Sequence, residues 1–319
     1  MMRAVPSLIA ACCWMVAMSP THAATEEPIS LRTPTGELHG SLMQPKDARS
    51  HSVALIIAGS GPTDRNGNSA MTQNDSLRLL AEALAGNGVS SVRYDKRGVG
   101  ESAKALADES KLIFHDLVDD AKAWLALLAA DKRFKDVVVI GHSEGATIGL
   151  LAAQQSAVRM YVSIAGPALS ASQILRSQLA GKLPPELAAQ SEQILTSLES
   201  GKTVSDVPQP LMVLYRPSVQ PYLIDWFKVV PTDEIKKLRV PCLIIQGDTD
   251  IQVPVAAAQA LHDANPKADL VVVEGMNHVL KLVPSDQARQ LASYRDPSLP
   301  IAPTMHQAIV RFVDAHMSR

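Results

Sequence analysis

A chain of 319 residues, 46% of them hydrophobic, is long enough to bury one large core. Its formal net charge is −2 and it carries no basic stripe, so we expect no nucleic-acid partner. The sequence also lacks a phosphate-binding P-loop and a zinc-protease helix, which predicts a protein with no cofactor and no metal.

The first 23 residues have the organisation of a secretion signal. A short positive start at residues 1–3 precedes an apolar stretch at residues 4–18, and small residues end the segment at Ala23. The apolar stretch is too short to span a membrane stably. We therefore expect cleavage near Ala23 and a periplasmic or secreted protein without a membrane span. Residues 9–12 resemble a lipoprotein processing box, so a lipoprotein is the alternative.

The mature chain begins with strands and then alternates helices with strands. The predicted elements are a hairpin at residues 29–32 and 37–44, strands at 52–58 and 90–94, and helices at 76–85 and 114–130. Further strands are predicted at 161–165, 241–246 and 269–273, an alanine-rich helix after Pro254, and a last helix at 304–317. This order predicts an α/β fold with a mainly parallel central sheet and helices on both faces.

The strongest motif lies at residues 137–145. A β-branched run leads into Gly141-His142-Ser143-Glu144-Gly145, and helix-forming residues follow. A strand, a sharp turn and a helix in this order form the nucleophile elbow of a serine hydrolase. Glycines on either side of the serine leave room where side chains would clash. We predict Ser143 as the nucleophile and expect the side chain of His142 to point away from it, because neighbours at a strand end face opposite ways.

A serine nucleophile needs a base and an acid that orients the base, and in this arrangement both follow later in the chain. The strand at residues 241–246 runs into a loop with two aspartates, and the strand at 269–273 is followed by a loop that contains His278. We assign His278 as general base and acid. Asp250 is the predicted acid because it lies far enough into its loop to turn back, and Asp248 is the alternative.

The loop after the first central strand is rich in glycine. It reads Gly59-Ser60-Gly61-Pro62-Thr63-Asp64-Arg65, and glycine lets a backbone approach a substrate closely. We predict that the backbone N–H groups of Ser60 and Glu144 form the oxyanion hole. Asp64 and Arg65 either position substrate or brace this loop.

Residues 167–237 break the alternation with helical patterns, Gly and Pro interruptions and no strand pair. They separate two core segments, at 27–166 and 238–319, and an insertion at this point predicts a helical lid over the carboxyl ends of the strands. Its aromatic side chains either line a substrate pocket or pack the insertion onto the core. They are Tyr215, Tyr222, Trp226 and Phe227.

Three smaller groups of residues admit a functional interpretation. Asp95, Arg97 and Glu101 cluster, and we predict that they tie a strand end to its neighbours. His115 and Asp119 share a helix face at metal-compatible spacing, but no further ligand accompanies them, so we expect a solvated face. Cys242 would be the only cysteine of the mature chain and is predicted to lie in the core.

Three segments together resemble a known family. They are residues 59–65, Tyr94-Asp95-Lys96-Arg97-Gly98-Val99-Gly100-Glu101-Ser102, and residues 141–145. In combination they are similar to bacterial α/β-hydrolases of the serine aminopeptidase and lysophospholipase-like group, and the resemblance spans almost all of the chain after residue 27. It implies the same triad of Ser143, Asp250 and His278. One departure is Ala58-Gly59, where His-Gly is commoner in the family.

These observations predict an exported serine hydrolase that cleaves carboxylic esters through an acyl-enzyme, with a small ester or acyl compound as substrate. A lysophospholipase or a serine aminopeptidase with the same triad is the alternative among enzymes, because the fold does not determine the substrate. A non-catalytic ligand-binding protein of the cell envelope is the alternative outside enzymes. The sequence leaves the natural substrate and the oligomeric state open.

Overall fold

An eight-stranded sheet forms the centre of the protein. The computed structural model describes residues 24–46 and 51–318, so the secretion signal predicted for residues 1–23 lies outside the described residues. Within those two ranges no helix has the length and apolar character that crossing a membrane would require.

The sheet is mainly parallel, as predicted. Its strands are β1 (Thr25–Thr33), β2 (Gly36–Gln44), β3 (Ser52–Ile57), β4 (Ser90–Tyr94), β5 (Asp136–His142), β6 (Met160–Ile164), β7 (Cys242–Gly247) and β8 (Asp269–Val273). They lie in the order β1-β2-β4-β3-β5-β6-β7-β8. The β1–β2 and β2–β4 pairs are antiparallel and the other neighbours are parallel. The carboxyl ends of β3 to β8 therefore meet at one edge.

The helices follow the predicted order, with one addition. They are α1 (Ser76–Gly86), α2 (Phe114–Ala130), α3 (Glu144–Gln154), α4 (Ala171–Leu179), α5 (Pro185–Glu199), α6 (Met212–Tyr215), α7 (Gln220–Trp226), α8 (Pro231–Ile235), α9 (Val255–Ala264), α10 (Gln287–Ser293) and α11 (Pro303–His316). Helix α10, between β8 and the last helix, was not predicted from the sequence.

Helices cover both faces of the sheet, which is why the central strands are mostly apolar on both faces. In β3, Val53, Leu55 and Ile57 join the core beneath α2, α3 and α9, whereas Ala54 and Ile56 join the core beneath α1 and α11. Every residue of β3, β5 and β6 is buried. Burial on both faces is typical of parallel strands and fixes the sheet as a rigid base for the loops at its edge.

The insertion between β6 and β7 contains helices α4 to α8 and, within the described chain, no strand. Its aromatic side chains pack onto the core: the Trp226 ring is stacked on Phe114 of α2, with centroids 5.5 Å apart. Tyr215 is fully buried, and its hydroxyl is 2.9 Å from Ser191 Oγ. Tyr222 contacts Phe114 edge-on and also lines a cavity beside the candidate site. A lid movement of this insertion stays a prediction.

Candidate active site

Ser143 occupies a strained turn between β5 and α3. Its φ is 55°, in the left-handed region that non-glycine residues rarely adopt. The turn is held by the backbone N–H of Ser143, which donates to the carbonyl oxygen of Ile164 on β6 at 2.9 Å. The sequence predicted this strand, turn and helix, and the serine lies where the carboxyl end of β5 meets the N-terminus of α3.

The two glycines of the motif are required by the close approach of the backbone. A Cβ atom on Gly141 would overlap the carbonyl oxygen of Gly145, and a Cβ on Gly145 would overlap the carbonyl oxygen of Ile57. Both obstacles are backbone atoms, which cannot rotate away as a flexible side chain could. The tight packing of α3 against β3 and β5 therefore depends on both glycines.

The loops after β7 and β8 bring a carboxylate and an imidazole together. Asp250 Oδ2 is 2.8 Å from His278 Nδ1, and both side chains are buried. The other carboxylate oxygen, Oδ1, accepts the backbone N–H groups of Gln252 at 2.7 Å and Val253 at 2.9 Å. These bonds fix the carboxylate on the imidazole, so Asp250 and His278 meet as the sequence analysis expected.

Asp250 stays ionised despite its burial. Burial alone would raise the pKa of its carboxyl group, but the charge and hydrogen bond of the His278 ring and the two backbone N–H groups outweigh it and lower the pKa. Gln246, at the end of β7, also donates from Nε2 to Oδ2 at 3.1 Å. Gln246 was not predicted as a site residue; the available signal was a polar side chain near the end of an otherwise apolar strand.

Asp248 does not approach the imidazole. Its Oδ1 accepts the backbone N–H of Gly275 at 2.6 Å, which ties the loop after β7 to the loop after β8. The alternative assignment of Asp248 as the acid therefore has no geometric support, and its role is to hold the two loops in register.

Ser143 and His278 line one cavity of about 150 Å³. Ser60, from the loop after β3, lines the same cavity, as do Gln252 and Tyr294, which the sequence analysis missed. Gln252 Nε2 donates to the Tyr294 hydroxyl at 2.7 Å. Ser143, Asp250 and His278 are thus brought to the same edge of the sheet, with open space in front of the serine and the imidazole.

His142 corrects one expectation. Its side chain does not point away from the site: it lines the same cavity as Ser143, and its ring lies 4.8 Å from the His278 ring, centroid to centroid. Its Nε2 is 2.8 Å from the carbonyl oxygen of His278. Strand alternation fails here because Ser143 has already left the strand conformation. Burial, with a smaller contribution from His278, lowers the pKa of His142 to about 3, so it is neutral and can donate this bond.

The two predicted oxyanion donors belong to different elements of the fold. Glu144 is the first residue of α3, and Ser60 follows Gly59 in the loop after β3. Within residues 24–46 and 51–318, neither backbone N–H has a hydrogen-bond acceptor in the protein. Both N–H groups are therefore free to bind an incoming oxygen, although α3 supplies its N-terminal partial positive charge only at Glu144.

Lys96 joins the loop after β3 to the N-terminus of α3 and was missed as a site residue. Its Nζ donates to the Gly59 carbonyl oxygen at 2.5 Å and lies 3.3 Å from Glu144 Oε1. The side chains of Lys96 and Glu144 are only 4% and 3% exposed. A lysine two residues after the end of the buried strand β4 was the available signal. The ammonium group holds the residue before one predicted donor and the side chain of the other.

The remaining charged residues of the glycine-rich loop brace it. Asp64 Oδ1 accepts the backbone N–H groups of Asn66 and Asn68, at 2.8 and 2.9 Å. The Arg65 guanidinium binds Asp95 at 2.8 Å and also contacts Glu101. Of the two interpretations of Asp64 and Arg65, the structure supports bracing. The expected structural role of Asp95 and Glu101 agrees with these contacts.

Neither of the other groups forms a ligand site. Arg97 Nε donates to Asp120 of α2 at 2.7 Å, a structural pair as expected. His115 is not simply solvated, because its Nδ1 is 2.7 Å from Asp225 of the insertion, whereas Asp119 pairs with a lysine of its own helix. No group of potential metal ligands is present in the part of the chain that the structure describes. Cys242 is buried in β7.

Comparisons with known proteins agree with this geometry. The model of the family described as serine aminopeptidase, S33, matches residues 74–282. Esterase EstD from Thermotoga maritima is 29% identical over 217 residues, which cover 68% of this chain and 50% of the relative. The chain therefore matches about half the length of that esterase.

Solved structures share the fold at low sequence identity. Est1E from Butyrivibrio proteoclasticus, solved with ferulic acid, has a TM-score of 0.61 at 18% identity and covers 91% of this chain and 100% of its own. The Pyrococcus furiosus esterase Pf2001 has a TM-score of 0.56 at 18% identity, covering 92% of this chain and 94% of its own. With the family match over most of the sheet and the elbow, the chain belongs to the serine aminopeptidase S33 family of α/β-hydrolases.

Proposed function

We propose that the protein is a serine hydrolase that cleaves carboxylic esters through an acyl-enzyme. The observation that carries the proposal is the 2.8 Å contact between Asp250 Oδ2 and His278 Nδ1 beside a cavity that Ser143 and His278 share. An Nδ1–H bound to the carboxylate leaves Nε2 of the neutral ring as the proton acceptor, as a general base requires. The relatives named as esterases favour an ester as the substrate.

The proposed reaction has two halves. Ser143 Oγ attacks the ester carbonyl carbon while the hydroxyl proton passes to His278 Nε2. The carbon becomes tetrahedral, and the former carbonyl oxygen becomes an oxyanion. The oxyanion collapses, the bond to the alcohol oxygen breaks, and His278 returns the proton to the departing alcohol. Water then attacks the acyl-enzyme with His278 again as base, and the acid leaves. Asp250 stabilises the imidazolium in both halves without accepting its proton.

The N–H groups of Ser60 and Glu144 are the proposed oxyanion donors. Both are unoccupied by protein acceptors in the described chain, and Ser60 lines the cavity in front of Ser143. A donor aimed at the developing charge contributes about 3 kcal/mol to transition-state stabilisation in comparable enzymes. These two donors act through the backbone, so the proposal does not depend on either side chain.

The cavity favours an ester over a peptide N-terminus. An aminopeptidase must bind the ammonium group of its substrate, which calls for a carboxylate within reach. The residues that line the cavity in front of Ser143 include no aspartate or glutamate. The two carboxylates close to it are already bound: Asp250 by His278 and two backbone N–H groups, and Glu144 by Lys96. The family description names an aminopeptidase, so amide substrates belong in the test.

The test compares the protein with the Ser143→Ala variant. We expect the protein to hydrolyse p-nitrophenyl acetate and butyrate and to react with a fluorophosphonate probe, and we expect the variant to lose both properties while it unfolds at the same temperature. Aminoacyl p-nitroanilides form the second arm of the assay. Hydrolysis of esters that persists in the variant would remove Ser143 from the mechanism, and faster hydrolysis of the anilides would replace the ester proposal.

Export is part of the proposal and rests on the sequence of residues 1–23. Expression of the full chain in a Gram-negative host, followed by fractionation and N-terminal sequencing, tests it. The expected product is a periplasmic protein that begins just after Ala23. A cytoplasmic product with its original N-terminus contradicts export, and a product that begins at Cys12 and stays in the membrane fraction indicates lipidation instead.

A further inference from the structure

A second, apolar cavity of about 250 Å³ lies beside the candidate site. It is bordered by α4 and the segment before it on one side, and on the other by α9 and the acid loop, which is the loop after β7 that contains Asp250. Its apolar walls include Leu169, Ile174, Val253, Pro254, Ala257 and Ala260. Three polar residues line it and no charged one does, so a bound group would gain little from hydrogen bonds and much from the burial of hydrocarbon.

The apolar cavity borders the catalytic machinery at the acid loop. Gln252 lines both this cavity and the one that holds Ser143 and His278. The next residue, Val253, lines the apolar cavity while its backbone N–H binds Asp250. On the other side, Pro167 lines the cavity. It lies three residues after Ile164, whose carbonyl oxygen accepts the N–H of Ser143. The two cavities are therefore neighbours across one side chain.

A third cavity, of about 210 Å³, lies on the opposite flank and differs in chemistry. Apolar residues such as Leu106, Leu112 and Val219 form part of its wall, but five charged residues line it as well: Lys96, Arg97, Glu109, Glu144 and Arg216. A hydrocarbon chain placed there would cover charged groups and remove their water, at a cost in free energy. Binding of the same hydrocarbon in the apolar cavity next to Gln252 would cover no charged side chain. Of the two flanking cavities, it is the one suited to an aliphatic chain.

We infer that the apolar cavity binds an unbranched aliphatic chain of the ester substrate. The natural substrate is then an ester in which the acyl group or the alcohol carries an aliphatic chain several carbons long. The inference rests on the proposed function of Ser143 as an ester-cleaving nucleophile. Leu169 is 49% exposed at the rim, and a chain lying against it would cover apolar surface that water now contacts. The aliphatic chain belongs to either the acyl group or the alcohol of the ester, and both would bury the same kind of hydrocarbon surface.

The experiment measures kcat/KM along two series. One series lengthens the acyl group of p-nitrophenyl esters from acetate through butyrate and hexanoate to octanoate, and the other lengthens the alcohol of acetate esters from ethyl to octyl. Each buried methylene contributes about 0.8 kcal/mol, so kcat/KM should rise about fourfold per methylene in one series until the cavity is filled. The series that rises identifies the part of the substrate that enters the cavity.

Two variants of the cavity and one control test its role. Ala257→Phe fills the space from α9, and we expect it to abolish the rise while acetate hydrolysis is kept within about threefold. Ile174→Ser leaves the cavity open, and somewhat larger, but replaces an apolar wall by a polar one, and we expect it to reduce the rise. Gln259→Phe adds the same aromatic ring to α9 at an exposed position outside the cavity, and its series should match that of the unaltered protein.

The outcomes separate this inference from the proposed function. If the unaltered protein hydrolyses acetates but neither series rises, or if both cavity variants keep the full rise, the aliphatic-chain inference is wrong and the esterase proposal stands. If the unaltered protein hydrolyses no ester while it remains folded, the proposed function itself fails and this inference falls with it.

Discussion

Replacement of Lys96 by methionine should weaken both stability and catalysis, since its ammonium group joins the loop of Ser60 to the helix N-terminus at Glu144, the two predicted oxyanion donors. Its Nζ is bound to the Gly59 carbonyl oxygen and lies against the Glu144 carboxylate, and both side chains are almost fully buried. Methionine has a similar length and shape but donates no hydrogen bond. The variant therefore leaves one buried carbonyl and one buried carboxylate without this cation.

The size of the effect follows from those two contacts. Removal of one partner of a buried ion pair costs about 3 to 5 kcal/mol of stability, because the other charge remains buried and unpaired. Loss of a single well-aimed oxyanion donor lowers kcat by about a hundredfold to a thousandfold. Lys96 contacts the residue before one predicted donor and the side chain of the other, so its loss should displace both. We therefore expect Lys96→Met to lower kcat at least about a hundredfold with a smaller change in KM.

The double variant Lys96→Met/Glu144→Gln separates stability from positioning. Glutamine at 144 removes the buried charge but keeps the backbone N–H, so urea denaturation should show most of the stability recovered. The kcat should stay low, because the Gly59 carbonyl still lacks its donor. Lys267→Met, at an exposed position, is the matched control for loss of a lysine and should change neither quantity. A double variant with normal kcat would refute the positioning role of Lys96.

Three further predictions concern the triad, the elbow and His142. Asp250→Asn should lower kcat about 10⁴-fold in the ester assay with little change in melting temperature, because the imidazole then takes the wrong tautomer; a loss below tenfold would argue against the assigned acid. Gly141→Ala should destabilise the protein by more than about 3 kcal/mol in urea denaturation, since its Cβ would overlap the Gly145 carbonyl, whereas Gly86→Ala, with open space around it, should be neutral or stabilising; equal effects would contradict the packing argument. The pKa of His142 is about 3 when folded and near 6.5 when unfolded, so the unfolded chain binds the proton first and the free energy of unfolding should fall by up to about 1.4 kcal/mol per pH unit as the pH decreases from 6.5 toward 3. His142→Gln should reduce that slope, and an unchanged slope would assign the acid sensitivity to other groups.

The sequence was informative wherever a local pattern has one structural solution. The β-branched run and the motif around Ser143 predicted a strand, a turn and a helix, because a serine between two such glycines fits few other backbone arrangements. The mainly parallel sheet followed from the alternation of strands and helices. Loops at the ends of parallel strands share one edge, so the loops with Asp250 and His278 were expected near the nucleophile.

Other features depended on contacts between distant segments, which no local pattern reports. Asp248 and Asp250 stand two residues apart in one loop, and only the folded chain turns one toward His278 and the other toward Gly275. His142 faces the site because the turn at Ser143 interrupts the strand alternation from which its direction was predicted. Lys96 was missed because its burial and its contacts with Gly59 and Glu144 join segments that are far apart in the sequence.

The chemical class of the protein was thus determined by the sequence, and the space around the nucleophile by the tertiary structure. A nucleophile elbow needs only consecutive residues to be recognised, since its strain is built from backbone geometry within one turn. A cavity, in contrast, is the volume that several elements leave between them. The apolar space between α4 and α9 exists because residues about 80 positions apart come together there, and no pattern within either segment reports that they meet.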